Sequence, residues 1–244
     1  MMKQGLLYKP YGNRAILVQW PEIIDENQLQ EVLFCKNSLE KKYPELILEI
    51  TSSYNSLLIF YHSTIEDFYN AVFLLKSHNS TLILPQKQKN TLWTIPVCYD
   101  QKFAPDMEFY CSQKKLEKEQ VVSWHSDKIY TVYFIGFLPG FLYLGGLDER
   151  LFLPRKTNPS LNVSKGAVAI GGKQTGIYPQ NSPGGWCVIG QSPMSFFEVK
   201  KDHPCFVAPG DKVMFESISI SKYNAISSLV EAGVYIPKNK IYEG

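Results

Sequence analysis

The chain has too few paired thiols and imidazoles for a stapled or metal-bound fold. Its five cysteines (Cys35, Cys98, Cys111, Cys187 and Cys205) are odd in number and none forms a C-x-x-C. That argues against a disulfide framework or a zinc knuckle and fits a reducing cytoplasm. The four histidines (His62, His78, His125 and His203) are scattered, without an H-E-x-x-H, so no protein-built metal site is expected. No apolar run approaches the roughly 18 residues that would suggest a membrane span. The N-terminal MMKQGLLYKPYGN lacks a sustained apolar core and a small-residue cleavage site, and is not read as a signal peptide. A net charge of +2 gives no reason to expect nucleic acid or a polybasic membrane surface. What remains is an ordinary folded chain of 244 residues, 45% apolar and 20% charged, long enough for one large or two modest domains.

One absence is local. From Arg150 to Phe197 there is no Asp or Glu, although 23 acids in 244 residues would place about four or five there. The same segment carries Arg150, Arg155, Lys156, Lys165 and Lys173. It also holds GGKQTGIYPQNSPGGWCVIG (171–190), with six of the chain's 16 glycines. Glycine-rich turns expose backbone N–H groups and the cations add field, so this surface should favour an anion, carboxylate or phosphate. The plainer alternative is that tight β corners need glycine. A P-loop is rejected: from Gly166 to Gly172-Lys173 the spacing is one residue too long, and Gln174 replaces the hydroxyl residue.

Residues 1–88 read as a ferredoxin-like α+β domain in the order β-α-β-β-α. RAILVQW (14–20), LILEI (46–50) and SLLIFYH (56–62) supply the strands. Asp25 and Gln28 form a capping box before Leu29, Val32, Leu33 and Leu39, and Pro44 lies just past that helix. A second helix is expected after Ser63, with Glu66 as its capping partner and Ile65, Phe68, Tyr69, Val72 and Leu75 in register. PQKQKN (85–90) reads as a linker. Residues 89–244 read as a closed or nearly closed β-barrel, from TLWTIPVCY, KIYTVYFI, AVAI, WCVIG and KVMFESI separated by Gly/Pro turns. Helices are expected at 113–124 and 221–232, the latter ended by Gly233 at C′.

The glycine-rich segment offers no acid or base, so a proton-transfer group must come from elsewhere. His125, just before a strand leading to the glycine-rich turns, is the catalytic candidate; the alternative is a histidine that merely ends a helix. Asp106 is read as a helix N-cap or first-turn residue rather than a catalytic acid. His203 is read as a loop residue and His62 as a strand residue. Tyr178 and Trp186 either pack the barrel or wall a small pocket.

YFIGFLPGFLYLGGL, then PRKTNPSLNVSKGAVAIGGKQTGIYPQNSPGGW, resemble the family of 5-oxoprolinase B subunits and KipI-like proteins, also labelled allophanate hydrolase subunit 1. The shared runs are G-F-x-P-G-F-x-Y-L, P-R and G-x-Q-T-G-I-Y-P-x-x-S-P-G-G-W, with looser likeness in IPVCYD and APDMEFY. The resemblance implies a cyclophilin-like C-terminal β-barrel and two partners, an A-type and a C-type 5-oxoprolinase subunit. It implies ATP-dependent opening of 5-oxoproline to glutamate by the complex, with a ligand cleft completed by the partner barrel. Alternatives within the family are inhibition of a sensor histidine kinase, and an amide enzyme of the allophanate hydrolase or urea carboxylase kind. The candidate substrate or anion set is Arg155, Lys156, Gly172, Lys173, Gln174, Thr175, Tyr178, Ser182 and Trp186. Three departures stand out: Pro159-Ser160 where the family has Pro-Arg, Ser164-Lys165 within its Val-Pro-Ala-Gly, and Gly190-Gln191-Ser192-Pro193 for its Gly-Arg-Thr-Pro. Two arginines are therefore missing, and lysine does not replace their planar, bidentate donor set.

Overall fold

A computed structural model describes residues 5–82 and 90–243. The chain divides into two compact units, with the division between Gln88 and Lys89. The stretch expected as a linker lies outside the described residues, except Asn90. Among the described residues no helix is long and apolar enough to cross a membrane.

The first unit runs β1 (Leu7–Tyr11), β2 (Ala15–Gln19), α1 (Glu26–Lys42), β3 (Ile47–Ser52), β4 (Ser56–Tyr61) and α2 (Phe68–Ser80). Its antiparallel sheet has the order β1-β2-β4-β3. Alternation along β2 and β4 buries Ile16, Val18, Leu57 and Ile59 against Val32, Cys35 and Leu39 of α1 and Val72 and Leu75 of α2. Each such side chain contributes about 1.5–3 kcal/mol. Asp25 caps α1 by accepting the Gln28 N–H at 3.0 Å. The Gln28 amide does not return the bond but donates to the Pro21 and Ile23 carbonyls, so the box is half formed. The second helix starts later than expected: Asp67, not Ser63, is its N-cap and accepts from the Asn70 N–H. Strand β1 is an addition, its Pro10 tolerated on a sheet edge where a missing N–H costs little.

The second unit contains β5 (Asn90–Val97), α3 (Met107–Lys114), α4 (Lys118–Ser126), β6 (Ile129–Ile135), β7 (Leu142–Gly145), β8 (Ser160–Val163) and β9 (Ala167–Gly171). It continues with β10 (Gln174–Ile177), β11 (Ser182–Gly184), β12 (Cys187–Gln191), β13 (Lys212–Ser217), α5 (Ile220–Glu231) and β14 (Lys238–Tyr242). Eight strands form one sheet, β12-β9-β10-β7-β6-β13-β5-β14, while β8 and β11 pair separately. Of the closed or nearly closed barrel expected from the strand spacing, the closed form is not found among the described residues: β12 and β14 remain edges, and a bridge between Cys98 and Gln191 joins the end of β12 to the residue after β5. Among the described strands only β5 and β13 pair in parallel, and α5 then carries the chain back so that β14 pairs antiparallel with β5.

The helix expected at 113–124 is two helices. Lys115 adopts φ 54°, a left-handed conformation that ends α3, and Glu117 with Gln120 starts α4 afresh. Gly233 (φ 72°) does close α5: its N–H bonds the Val230 carbonyl and the Val234 N–H bonds Leu229, a Schellman arrangement.

Candidate functional site

The glycine-rich segment is the hairpin β9–β10 and the chain that follows it. Its inward side chains, Val168, Ile170 and Ile177, belong to the large core beneath the sheet. The outward positions are small, Ala167, Ala169, Gly171 and Gly176, and a second apolar cluster of Phe141, Val163, Tyr178, Trp186 and Val188 covers them. A Cβ on Gly171 would lie 2.5 Å from the Trp186 ring, and one on Gly184 would lie 2.3 Å from the Tyr178 hydroxyl. These glycines admit aromatic rings against the strands. Trp186 and Tyr178 are therefore packing residues, buried, with Phe141 edge-on to both. Burial raises the Tyr178 hydroxyl to about 12, opposed by a hydrogen bond from the Trp186 backbone.

Gly172 is different: at φ 67° it has open space where a Cβ would stand. Its backbone exchanges hydrogen bonds with Leu153, which lays the Arg155 segment beside the Gly172-Lys173 turn. The strand β10 follows that turn directly, so no helix N-terminus backs it as a P-loop would require.

The five cations of the acid-free segment meet different fates. Arg150 makes two hydrogen bonds to Asp148, both 2.8 Å, and lies 3.8 Å from the Trp124 ring centroid. That guanidinium holds the Asp148 carboxyl well below the usual carboxylate range. Lys156, expected to bind an anion, is already paired: its Nζ is 2.8 Å from Asp106 Oδ2 and 2.7 Å from Ser160 Oγ. Asp106 occupies the N-cap position of α3 yet makes no cap bond; its carboxylate turns to Lys156 and accepts the Val188 N–H. Asp106 thus holds the N-cap position expected for it, while its side chain serves Lys156 and Val188 instead of the helix end. Lys165 reaches Ser195 Oγ at 3.2 Å. Among the described residues, Arg155 and Lys173 have no carboxylate partner; Arg155 lies 5.7 Å from the Trp186 ring centroid, and Lys173 lies 5.9 Å from that of Phe152. The departures from the family pattern fall on these contacts: Ser160 receives Lys156, and Gln191 donates to the Lys165 carbonyl.

His125 is overturned as a proton-transfer residue in contact with substrate. It is fully buried in the core, stacked on Phe215 at 4.5 Å, and both ring nitrogens are bonded. Tyr99 Oη lies 2.8 Å from Nδ1 and Thr175 Oγ1 lies 2.9 Å from Nε2. Desolvation pushes its pKa down to about 3, so the imidazole is neutral. Thr175, expected at the anion site, faces the same interior and donates to the Ala169 carbonyl. Gln174 is half-buried at the first position of β10. Ser182 is buried, and its hydroxyl has no partner among the described residues. His203 is exposed in a turn, and His62 lies one residue past β4.

Sequence reasoning missed Phe137, which stands 63% exposed at φ 65° between β6 and β7. A left-handed phenylalanine has no sequence signature beyond the glycines around it. It sets an aromatic edge against Phe141, at the margin of the same outer cluster.

A profile of the carboxyltransferase domain, subdomains C and D, matches residues 6–207. The chain belongs to that family. It is 32% identical over 231 residues to the B subunit of 5-oxoprolinase from Bacillus subtilis (strain 168), covering 88% of this chain and 93% of that protein. The solved structure of TTHA0988 superposes with a TM-score of 0.73 at 32% identity over 84% of this chain, which spans 40% of that longer protein. The structure of the K. lactis urea amidolyase gives a TM-score of 0.81 at 19% identity over 97% of this chain and 16% of its own length, a likeness of fold.

Proposed function

We propose that this chain is the B-type component of a cytoplasmic, ATP-dependent 5-oxoprolinase, active only with A-type and C-type partners. The observation that carries this reading is the match along nearly the whole of a protein named as a 5-oxoprolinase B subunit. In the complex, ATP activates the lactam carbonyl by phosphorylation and water then opens the ring to glutamate. This chain's contribution is the outer face of the β9–β10 hairpin. Arg155 and Lys173, exposed cations beside the Gly172 turn with no carboxylate partner among the described residues, hold the substrate carboxylate or the charge that develops on the phosphorylated carbonyl. Trp186 and Tyr178 cover the strands on that face, and the two cations stand at the margin of the cover. The acid or base for the water attack comes from a partner, since His125 is sealed in the core. The GGK turn lacks a helix behind it, so the nucleotide belongs to the complex and not to this turn.

The first unit is then a ferredoxin-like domain and the second a cyclophilin-like one, opened between β12 and β14. Phe137 and Leu161, both strongly exposed, suit a partner barrel that closes the cleft.

The test is reconstitution. Alone, the chain should leave 5-oxoproline intact; co-purified with its A-type and C-type partners it should release glutamate with matching ATP consumption. Arg155→Ala should lower kcat/KM by about tenfold to a hundredfold, the scale of losing a hydrogen bond to a charged group. A complete complex that binds together and leaves 5-oxoproline untouched would overturn the assignment.

A further inference from the structure

The hydrogen bonds around His125 form a directed chain. Thr175 has one hydroxyl proton, and it goes to the Ala169 carbonyl at 3.0 Å. Its oxygen must then accept from His125, so Nε2 carries the imidazole proton. Nδ1 is left as the acceptor, and Tyr99 donates to it. The tautomer is fixed from both ends. The ring is clamped as well, between Phe215, Tyr130 and Tyr99, while the Tyr130 hydroxyl holds the His125 carbonyl at 2.8 Å.

Such a chain needs a reason, because an apolar residue would fill the core with fewer demands. The reason lies in the strand it touches. Strand register is weakly specified where side chains are missing, and a slip of one residue moves every side chain to the opposite face. Around the turn, Gly171, Gly172 and Gly176 carry no side chain, so the inward grip there falls to Ile170, Thr175 and Ile177. Within β10, Thr175 alternates with Gln174 and Gly176, so holding Thr175 inward keeps those two outward.

We propose that His125 is a positioning residue that pins the register of the β9–β10 hairpin through Thr175, and so sets where Lys173 and Gln174 stand on the outer face. Its bearing on catalysis rests on the reading of that face as the anion site; the effect on the hairpin does not.

Two variants separate positioning from plain structural support. In His125→Gln the side-chain amide N–H stands in for Nε2 and keeps the Thr175 bond. In His125→Asn the amide oxygen stands in for Nδ1 and keeps the Tyr99 bond. Each loses one buried hydrogen bond, so the two should unfold at similar denaturant concentrations. Amide hydrogen exchange over residues 170–177 of the isolated chain should rise about fivefold or more in His125→Asn and stay near wild type in His125→Gln. In the reconstituted complex, His125→Asn should raise KM for 5-oxoproline severalfold at nearly unchanged kcat, and His125→Gln should not. Identical hairpin exchange in the two variants would overturn the proposal. A hairpin loosened only in His125→Asn, with no turnover of 5-oxoproline by any complex, would instead sink the functional reading and leave the positioning role standing. If either variant fails to fold, Thr175→Ser and Thr175→Val supply the same contrast from the other partner, serine keeping the accepting oxygen and valine removing it.

Discussion

The two faces of the β9–β10 hairpin solve opposite problems. Beneath it, polar groups are sealed from water, and each has a partner: Tyr99, His125, Thr175 and the Ala169 carbonyl form a closed series. Above it, the cover is apolar and aromatic, while the cations at its margin, Arg155 and Lys173, lie open without a carboxylate. Buried polar groups must be satisfied internally, whereas exposed charge can wait for a ligand. Function is therefore sought on the face with unspent charge, and rigidity on the face where every bond is closed.

The sharpest way to break this contrast is pH. A histidine buried neutral has a folded pKa near 3, below its ordinary value of about 6.5. The stability it permits is complete above that ordinary value and is lost as pH falls toward 3, because only the unfolded chain takes up the proton. The loss is about 1.4 kcal/mol per pH unit within that window. Unfolding free energies of wild type and His125→Gln, measured from pH 7 to pH 4, should therefore converge as acid is added. His78, also lowered by burial, is present in both proteins and cancels. Parallel curves would mean that the inner face is wet and the ring titrates freely.

Adjacent glycines sharpen the comparison from above. Gly171→Ala would press a methyl into the Trp186 ring and should cost about 2–3 kcal/mol. Gly172→Ala meets nothing within 4 Å, and only its φ of 67° resists, for about 1 kcal/mol. Denaturation midpoints of the two variants should rank in that order. Equal midpoints would show that the indole does not rest on the strand.

How much of this was legible depends on what each feature requires. Strands β2, β4, β5, β6 and β13 announce themselves through apolar, β-branched and aromatic runs, whereas β1 and β14 (LYKPY and KNKIY) are polar edges that only pairing creates. The break at Lys115 is set by a left-handed residue that carries no glycine to mark it. The acid-free segment was plain to see, but its meaning changed once distant acids were placed. Asp106 lies 50 residues before Lys156 and neutralises it, a pairing that no local spacing reveals. His125 likewise sat at a suggestive place in the sequence, and burial alone decided its role.

The smallest effect tests the margin of the outer face. Phe137 holds a left-handed backbone that costs a non-glycine residue about 1 kcal/mol or more, and its exposed ring recovers little beyond an edge contact with Phe141. Phe137→Gly should therefore stabilise the isolated chain by about 1 kcal/mol, raising Tm by about 2–4 °C. Phe137→Ala keeps the strain, loses the ring and should not gain. If the strained ring is retained for a partner, the stabilised glycine variant should bind the C-type partner more weakly than wild type, so that stability and assembly move in opposite directions. A variant that melts lower than wild type would show that the Phe141 contact outweighs the strain, and Phe137 would then belong with the packed cover and not with its open edge.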